Sequence, residues 1–324
     1  MPRPRRPKKT DKRRQNKSIL IFIILIISVF VLALCTVKQF RETNIPEEKT
    51  ATKEAPTLKK EQPTGQPDAE KPDKSKAAEP KATELAFHQY ITTLTADPNF
   101  RSVNFTNGQK GELVRHSAIL LSYNEEHEQA HWVTYKLTSA MLKGVEKRTD
   151  KFKADPKVST QSASPADYRL SGYDRGHLAP AGDFTYDALA MAESFYMSNM
   201  SPQTPSFNRG IWKKLEDQVR YWAKANEEIY IVTGPVIKKK EITLGQNQVT
   251  VPEYFYKVIV DLHPPEYKAI AFLMKNEKST RPLLDFAITV DSLERFTGLD
   301  FFPMLPDTLE KRIENMKNHD IWFK

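Results

Sequence analysis

The segment 171–180, SGYDRGHLAP, carries the residues with the clearest chemical potential. Asp174, Arg175 and His177 supply an anion, a permanent cation and an imidazole that titrates at about pH 6.5. These three groups within four residues are the set needed to activate a water molecule beside a phosphate. A glycine on each side of Asp174-Arg175 predicts irregular backbone rather than a helix interior. From residue types alone, an ordinary surface turn has the same composition.

The tetrad Asp174–His177, DRGH, resembles the signature of the DNA/RNA non-specific endonucleases, the ββα-metal family of endonuclease G-like nucleases. Arg209 stands where many members have Gln. The resemblance extends over roughly residues 116–306 and implies the α+β fold of that family. Further blocks follow in matching order: YMSNMSPQ at 196–203, FNRGIW at 207–212 with Leu215-Glu216 after it, IVTGP at 231–235, and the stretch 286–303.

The resemblance implies a role for each matching residue. His177 would be the general base that deprotonates the attacking water, and Arg175 would hold a non-bridging phosphate oxygen. A nearly unperturbed imidazole is largely neutral at about pH 7–8, as that role requires. Asn208 would be the one direct protein ligand of Mg²⁺, for which Mn²⁺ or another divalent ion would substitute. The products would carry 5′-phosphate and 3′-hydroxyl ends.

Two further residues are expected to support the catalytic group. Glu216 lies eight residues after Asn208, which is about 12 Å along the axis of one regular helix. Direct ligation of one ion by both is then awkward, so Glu216 is expected to orient a metal-bound water or a neighbouring group. A solvated helix carboxylate is the alternative. Asn199 is expected to support the site by hydrogen bonding, and a simple turn residue is the alternative.

Charged residues around these positions are weaker candidates for a role in catalysis or substrate binding. Asp174 is expected to anchor the loop or to orient a partner rather than to touch substrate. Arg209 is a candidate substrate contact, and with Lys213 and Lys214 it would form a phosphate-binding rim. Solvated charges at the exposed start of a helix are the alternative for all three of these basic residues.

Apolar patterns predict the elements that must position these residues. Residues 116–123 and 130–138 read as a β-hairpin, while Ile211, Leu215, Val219 and Trp222 fall at helical spacing. Hairpins and separate helices favour an α+β domain with an antiparallel sheet. Further strands are predicted at 254–262, at 269–274 and at 229–233, the last ended by Gly234-Pro235.

Composition divides the chain into four segments. A basic tail (1–18) precedes nineteen uncharged residues (19–37), which would rise roughly 28 Å as a helix and so predict a transmembrane signal anchor. Residues 38–84 hold six prolines and few apolar residues, which predicts a disordered linker. Residues 85–324 are predicted to form the endonuclease domain.

The charge pattern around the uncharged segment predicts its orientation. Nine Lys or Arg residues precede it within 1–17, whereas residues 85–324 hold thirty basic and thirty acidic residues. We therefore expect a cytoplasmic N-terminus and an extracytoplasmic catalytic domain, in the bacterial periplasm or at the cell surface. A mitochondrial inner membrane is the alternative. Cleavage or lipidation of the anchor is the competing interpretation of this segment.

The composition also excludes several classes. A mean hydropathy of −0.57 excludes a polytopic membrane protein, and the single cysteine, Cys35, excludes disulfide frameworks, Cys-based zinc ribbons and iron–sulfur clusters. The leading hypothesis is a metal-dependent, sequence-non-specific endonuclease acting on DNA and RNA. A non-catalytic nucleic-acid-binding surface module on the same fold is the alternative, and hydrolysis of small phosphodiesters is a third reading. Some family members are dimers, so a second copy of the chain is a candidate partner.

Overall fold

The fold is known from a computed structural model that describes residues 106–107, 111–238, 242–264, 266–317 and 319–323. All of them belong to one unit of the chain, residues 76–324. The predicted tail, membrane segment and linker lie outside the described residues, and so does the preceding unit, residues 1–75. Within the described part of the chain, no helix is long and apolar enough to cross a membrane.

A seven-stranded sheet forms the centre of the described domain, and each neighbouring pair in it is antiparallel. Its strand order is β12-β11-β10-β7-β4-β3-β2, so a mixed fold with an antiparallel sheet is confirmed. The strands are β1 Thr106–Asn107, β2 Glu112–Arg115, β3 Leu120–Asn124, β4 Gln129–Thr138, β5 Asp174–His177, β6 Met200–Gln203, β7 Glu228–Val236, β8 Thr243–Leu244, β9 Val249–Thr250, β10 Tyr254–Asp261, β11 Lys268–Lys275, β12 Ala287–Ile288 and β13 Asp300–Phe301.

The predicted hairpin is β3 paired with β4, joined by the polar turn 125–128. The predicted end of β7 at Gly234-Pro235 is wrong, because both residues pair with β10 and the strand continues to Val236. Pairing of β7 with β4 stops at Thr233. One side of Pro235 therefore faces no strand, and a proline without an amide proton is tolerated there.

Four α-helices of the described residues lie around this sheet. The predicted apolar stripe of α2 is confirmed, because Leu215, Val219 and Trp222 are fully buried against one face of the sheet. On the other face, Leu293 from α3 and Ile313 from α4 enter a second core. Each such side chain contributes about 1.5–3 kcal/mol through burial. The helices are α1 Ala188–Glu193, α2 Lys213–Ala225, α3 Val290–Thr297 and α4 Asp307–Glu314.

The tetrad lies in β5, which pairs with β6 in a separate two-stranded ribbon. The backbone there is extended rather than irregular, although the predicted absence of a helix is confirmed. Gly176 lies opposite Ser201, and a Cβ atom on it would come within 2.2 Å of the buried Gln203 side chain. The ribbon therefore requires glycine at this position. In the chain, α1 lies between the two strands of the ribbon, and segment 207–212 and α2 follow β6.

Candidate active site

A cleft of about 320 Å³ brings most of the predicted site residues together. It lies between the end of β5 and the start of α2. Guanidinium groups and the His177 imidazole dominate its polar lining, which suits a ligand with negative charge. The lining residues are Arg148, Arg175, His177, Pro180, Ala181, Gly182, Asn208, Arg209, Lys213, Glu216 and Arg220.

His177 is buried among aromatic rings. Its ring centroid lies 5.7 Å from that of Phe152 and 5.0 Å from that of Phe195, and its side-chain Nε2 has no hydrogen-bond partner. Burial, followed by the positive charges of Arg148 and Arg175, lowers the pKa of His177 to about 3. The predicted near-ordinary imidazole is therefore wrong for the free protein. The ring is instead held neutral, with a nitrogen available to accept a proton.

Asp174 connects the ribbon to the segment that follows it. Its carboxylate accepts a hydrogen bond from Nδ2 of Asn208 at 2.9 Å and two from the Arg209 guanidinium at 2.8 and 2.6 Å. These contacts lower the pKa of Asp174 despite its partial burial. The amide nitrogen of Asn208 is thereby fixed toward Asp174, and no described residue donates to its oxygen, Oδ1. Asp174 orients a partner, as expected.

A backbone break separates Asn208 from Glu216. Residues 207–212 form a wider helical turn than an α-helix, and Gly210 within it is non-helical, with φ −107° and ψ −109°. The regular helix assumed from the sequence is therefore absent. Both Asn208 and Glu216 line the cleft. The spacing argument against direct ligation of one ion by both residues assumed a regular helix, and the break at Gly210 removes that assumption.

Glu216 lies above a group of buried charges beneath the cleft. Burial raises the pKa of Glu216, and the positive charges of Lys257 and Arg220 oppose that rise. Lys257 reaches this group from the middle of β10, where its Nζ donates to the carbonyl of Leu178 at 3.2 Å. Arg220 donates to the buried Asp183 at 2.8 Å. Two acids and two bases therefore share this interior, and Glu216 is not a freely solvated helix carboxylate.

Asn199 does not line the cleft. Its side-chain oxygen accepts from the backbone N of Ala179 at 2.9 Å, and Nδ2 donates to the carbonyls of Ala179 and Ser194 at 2.9 and 2.8 Å. The buried amide thus fixes the loop that follows His177 and also binds the end of α1 at Ser194. The structure gives Asn199 a positioning role by hydrogen bonding, not a contact with substrate.

The predicted basic rim is only partly assembled. Arg209 and Lys213 line the cleft, whereas Lys214 is exposed and is not part of its lining. Arg209 is 72% exposed although it pairs with Asp174, and Lys213 pairs with Asp217 at 2.5 Å. Exposed pairs of this kind are weak. Both cations can therefore exchange their partner for a phosphate.

The profile of the DNA/RNA non-specific endonucleases matches residues 96–308. The chain belongs to this family. It is therefore a nuclease by family, a hydrolase of nucleic-acid phosphodiester bonds. The resemblance seen in the DRGH tetrad and the blocks after it is confirmed.

Individual relatives agree with this assignment. The zebrafish mitochondrial nuclease EXOG is 37% identical over 57% of this chain and 59% of its own length. Nuclease C1 of Cunninghamella echinulata is 37% identical over 61% of this chain and 85% of its own. Mitochondrial endonuclease G of Caenorhabditis elegans is 36% identical over 63% and 72%. The chain thus spans less than two thirds of the zebrafish relative.

A solved structure supports the fold as well as the sequence match. A chain in the crystal structure of the EndoG/EndoGI complex matches with a TM-score of 0.58 and 34% identity. The match covers 62% of this chain and 89% of the other. The mixed helix and sheet architecture is therefore shared with an endonuclease G complex structure.

Divalent-metal dependence is a general property of this nuclease family. The cleft offers the Asn208 amide oxygen and, nearby, the Glu216 carboxylate. Oxygen atoms are the ligands that Mg²⁺ prefers, and it retains several waters when proteins supply few ligands. The donor set fits a hydrated divalent ion. Within the described residues, no cluster of three carboxylates or histidines occurs at the cleft.

Two cleft residues, Arg148 and Arg220, and the buried Lys257 beneath the cleft were not found by the sequence motifs. Arg148 lies 5.0 Å above the Phe195 ring, as Arg175 lies 4.1 Å above that of Phe152. No local pattern marks Arg148. The sequence does contain a pattern that indicates Arg220, because this residue lies four positions after Glu216 and therefore on the same helix face. The pattern that indicates Lys257 is stronger, because this residue is the single cation inside the apolar strand YFYKVIVDL.

Proposed function

We propose that this endonuclease hydrolyses phosphodiester bonds of DNA and RNA without sequence preference, using a divalent ion, with Mg²⁺ as the natural one. The observation that carries the proposal is the neutral, unpartnered Nε2 of His177 in a cleft lined by arginines and Asn208. Groups of this kind bind phosphate and move a proton. They carry no information about bases, which agrees with cutting that ignores sequence.

The first step is placement of the scissile phosphate. Arg175 and Arg148 are held over aromatic rings beside His177, and Arg209 stands at the exposed edge of the cleft. Their permanent positive charge binds the non-bridging oxygens of the backbone. An anion between these guanidinium groups also offsets the charges that depress the pKa of His177. The imidazole therefore becomes a stronger base when substrate is bound.

The second step is proton transfer. Nε2 of His177 accepts a proton from a water molecule as that water attacks phosphorus. Asn208 would hold the ion through Oδ1, with Glu216 orienting water around it. When bound, the ion supplies stabilisation of the negative charge that develops on the phosphate and on the leaving oxygen. The 3′ oxygen departs with the P–O3′ bond electrons and takes a proton from a water molecule, which leaves a 5′-phosphate and a 3′-hydroxyl.

We further propose the cellular arrangement that the sequence predicts. Segment 19–37 would hold the chain in a lipid bilayer with the N-terminus in the cytoplasm, and the nuclease domain would act outside it. This placement separates a non-specific nuclease from the chromosome of its own cell. A homodimer is a further proposal, which the molecular mass of the detergent-solubilised full chain would test.

The test of activity uses the purified full chain with supercoiled plasmid and with single-stranded RNA, in Mg²⁺ or in EDTA. We expect Mg²⁺-dependent cleavage of both substrates that is lost in His177→Ala and Asn208→Ala. Asn208→Asp should keep part of the activity, because a carboxylate still binds the ion. His263→Ala, at an exposed position outside the cleft, is the matched control.

The outcome also separates the alternatives. Folded wild-type protein that binds DNA but leaves it intact in every divalent ion would favour the non-catalytic module. Hydrolysis of a small phosphodiester with intact plasmid and RNA would favour the small-molecule reading. Mapping the ends of the cut strands by ligation tests the 5′-phosphate separately, since ligase requires it.

A further inference from the structure

A buried lysine lies beneath the cleft, in the middle of β10. Lys257 is only 1% exposed. Phe255 and Ile259, on either side of it at alternate positions of the strand, belong to the core that α2 covers. Because side chains at alternate positions share one face of a strand, Lys257 points toward α2 and the cleft. It reaches the site from a strand that carries none of the predicted site residues.

The charge of this lysine is costly at such a position. Burial lowers the pKa of Lys257, whereas the negative charges of Glu216 and Asp183 raise it and favour the ammonium form. The positive charge of Arg220 acts in the same direction as burial. An apolar side chain of similar volume would avoid the loss of hydration that a buried ammonium group suffers. The contacts of the ammonium group therefore indicate what the lysine contributes.

The first contact is with the chain that follows the proposed general base. Nζ of Lys257 donates a hydrogen bond to the carbonyl oxygen of Leu178 at 3.2 Å. Leu178 is fully buried and directly follows His177. Its backbone N donates to the carbonyl oxygen of Asn199 at 3.0 Å. The backbone beside His177 is therefore held from β10 as well as from the segment that precedes β6.

The second contact is with the segment on the other side of the cleft. Nζ of the lysine lies 4.9 Å from the centroid of the Trp212 ring, which is within the range of a cation–π interaction. Trp212 ends the segment that carries Asn208 and immediately precedes α2. Its buried Nε1 has no hydrogen-bond partner among the described residues. The ring is thus held by packing against Phe207 and Phe255 and by the charge of the lysine.

We propose that Lys257 is a positioning residue that sets the place of His177 relative to the segment carrying Asn208. One ammonium group contacts the chain on both sides of the cleft, at Leu178 and at Trp212. The lysine is not part of the cleft lining, so it acts through these neighbours and not on the substrate. This inference rests on the proposed function, because it concerns the alignment of the reacting groups. Misplacement of such groups by about 1 Å can lower a rate about 100-fold.

The sheet also contains a matched control. Lys268 of β11 is buried, lies 5.0 Å from the centroid of the Trp322 ring and donates to Oδ1 of Asn226 at 2.8 Å. Asn226 lies at the far end of α2, and none of these three residues lines the cleft. Lys268→Met therefore removes a buried ammonium group with equivalent contacts but leaves both neighbours of Lys257 in place. A loss common to both variants is the general cost of removing a buried lysine.

The test compares Lys257→Met with Lys268→Met in the detergent-solubilised full chain. Initial rates of plasmid cleavage over a range of DNA concentrations separate kcat from KM. The NMR signals of isotope-labelled histidine, assigned to His177 by their loss in His177→Gln, report on the position of this ring without turnover. We expect Lys257→Met to lower kcat about tenfold or more, to keep KM within about threefold and to shift the His177 signals. Lys268→Met should keep kcat, KM and the His177 signals close to those of wild type.

Three results would overturn the proposal: equal losses of kcat in the two methionine variants, a raised KM with unchanged kcat in Lys257→Met, or unshifted His177 signals in that variant. Lys257→Gln replaces Lys257→Met if the apolar variant does not fold, and the same loss of kcat and the same shift are expected. If wild type itself leaves plasmid intact, the proposed function fails. The His177 signals then still decide whether Lys257 positions the ring.

Discussion

The Asp174 carboxylate accepts a hydrogen bond from the side-chain amide of Asn208 across 34 residues of sequence, at 2.9 Å. One residue of the tetrad thus orients the residue that would bind the ion. The bond occupies the nitrogen of the amide and leaves its oxygen for the cleft. If Asn208 holds the ion as proposed, Asp174 would act on the ion through Asn208.

Replacing Asp174 tests this relationship. In Asp174→Asn, the acceptor for Nδ2 is weakened and the charge that holds Arg209 is lost. We expect roughly 10–100-fold loss in metal affinity or activity, as is typical when a group that orients a metal ligand is removed. The measurement is the Mg²⁺ concentration that gives half-maximal cleavage. Arg209→Gln breaks the other contact of Asp174 and should leave that concentration nearly unchanged. An unchanged Mg²⁺ requirement in Asp174→Asn would show that Asn208 orients itself.

Asn199 and Asn208 should respond to alanine in opposite ways. Asn199→Ala removes three buried hydrogen bonds and leaves backbone groups unpaired, so we expect a loss of about 2–4 kcal/mol of unfolding free energy. Asn208→Ala, at a half-buried position, should unfold like wild type yet lose cleavage. Urea unfolding of the two variants checks this. A stable Asn199→Ala variant with no activity would instead assign Asn199 a direct part in the reaction.

The depressed pKa of His177 predicts an unusual pH profile. With a pKa of about 3 in the free protein, the imidazole is already neutral at any pH above about 5. We therefore expect kcat/KM to show no acid limb at about pH 6.5, where an ordinary histidine titrates. Initial rates of plasmid nicking, measured at subsaturating DNA over a range of pH, give this profile of kcat/KM. An acid limb at about pH 6–7 would mean that the ring is more solvated than its burial indicates.

The same shift makes stability depend on pH. The unfolded chain binds a proton on His177 below about pH 6.5, but the folded chain does not until about pH 3. Stability is therefore fully present above pH 6.5 and falls as the pH drops toward 3, by up to a few kcal/mol. His177→Gln should therefore lose less stability than wild type as the pH falls from about 6.5 to 4.5. A parallel decline in both proteins would contradict the assignment.

Gly176 should not tolerate a side chain unless Gln203 makes room. A Cβ atom would lie 2.2 Å from the buried amide of Gln203, so Gly176→Ala should cost about 1–3 kcal/mol and distort the ribbon that carries His177. In a Gln203→Ala background the same change should cost much less. A double-mutant cycle of Tm and cleavage rate measures this coupling. Additive losses would place the strain elsewhere.

The central elements followed from sequence because their apolar periods match their burial. The stripe of α2 buries one set of side chains against the sheet, and the almost continuous apolar run of β10 is buried on both faces. The tetrad also marked the position of the cleft, although its extended backbone in β5 was not predicted. The end of β7 was predicted wrongly, because a proline can stay in a strand when no other strand pairs with it on one side. The tertiary structure determines which sides of Pro235 have a neighbouring strand, and the local sequence does not show this.

The electrostatics of the cleft could not be predicted from the sequence for a similar reason. His177 has the same sequence neighbours whether it is solvated or enclosed by Phe152 and Phe195, and its pKa depends on that enclosure. Arg148 is brought to the cleft from 29 residues before His177, with no motif of its own. Lys257 was readable in principle, because a lone cation in a central strand requires a buried partner.

The break at Gly210 bears on any attempt to transplant this site. Asn208 and Glu216, eight residues apart, both line the cleft, and the chain changes direction between them. A designer who copied that interval onto a straight helical scaffold would aim the two groups in different directions. A transfer of this site to another protein would therefore have to include the ribbon, the break and the first turns of α2. The tetrad alone would not reproduce the site.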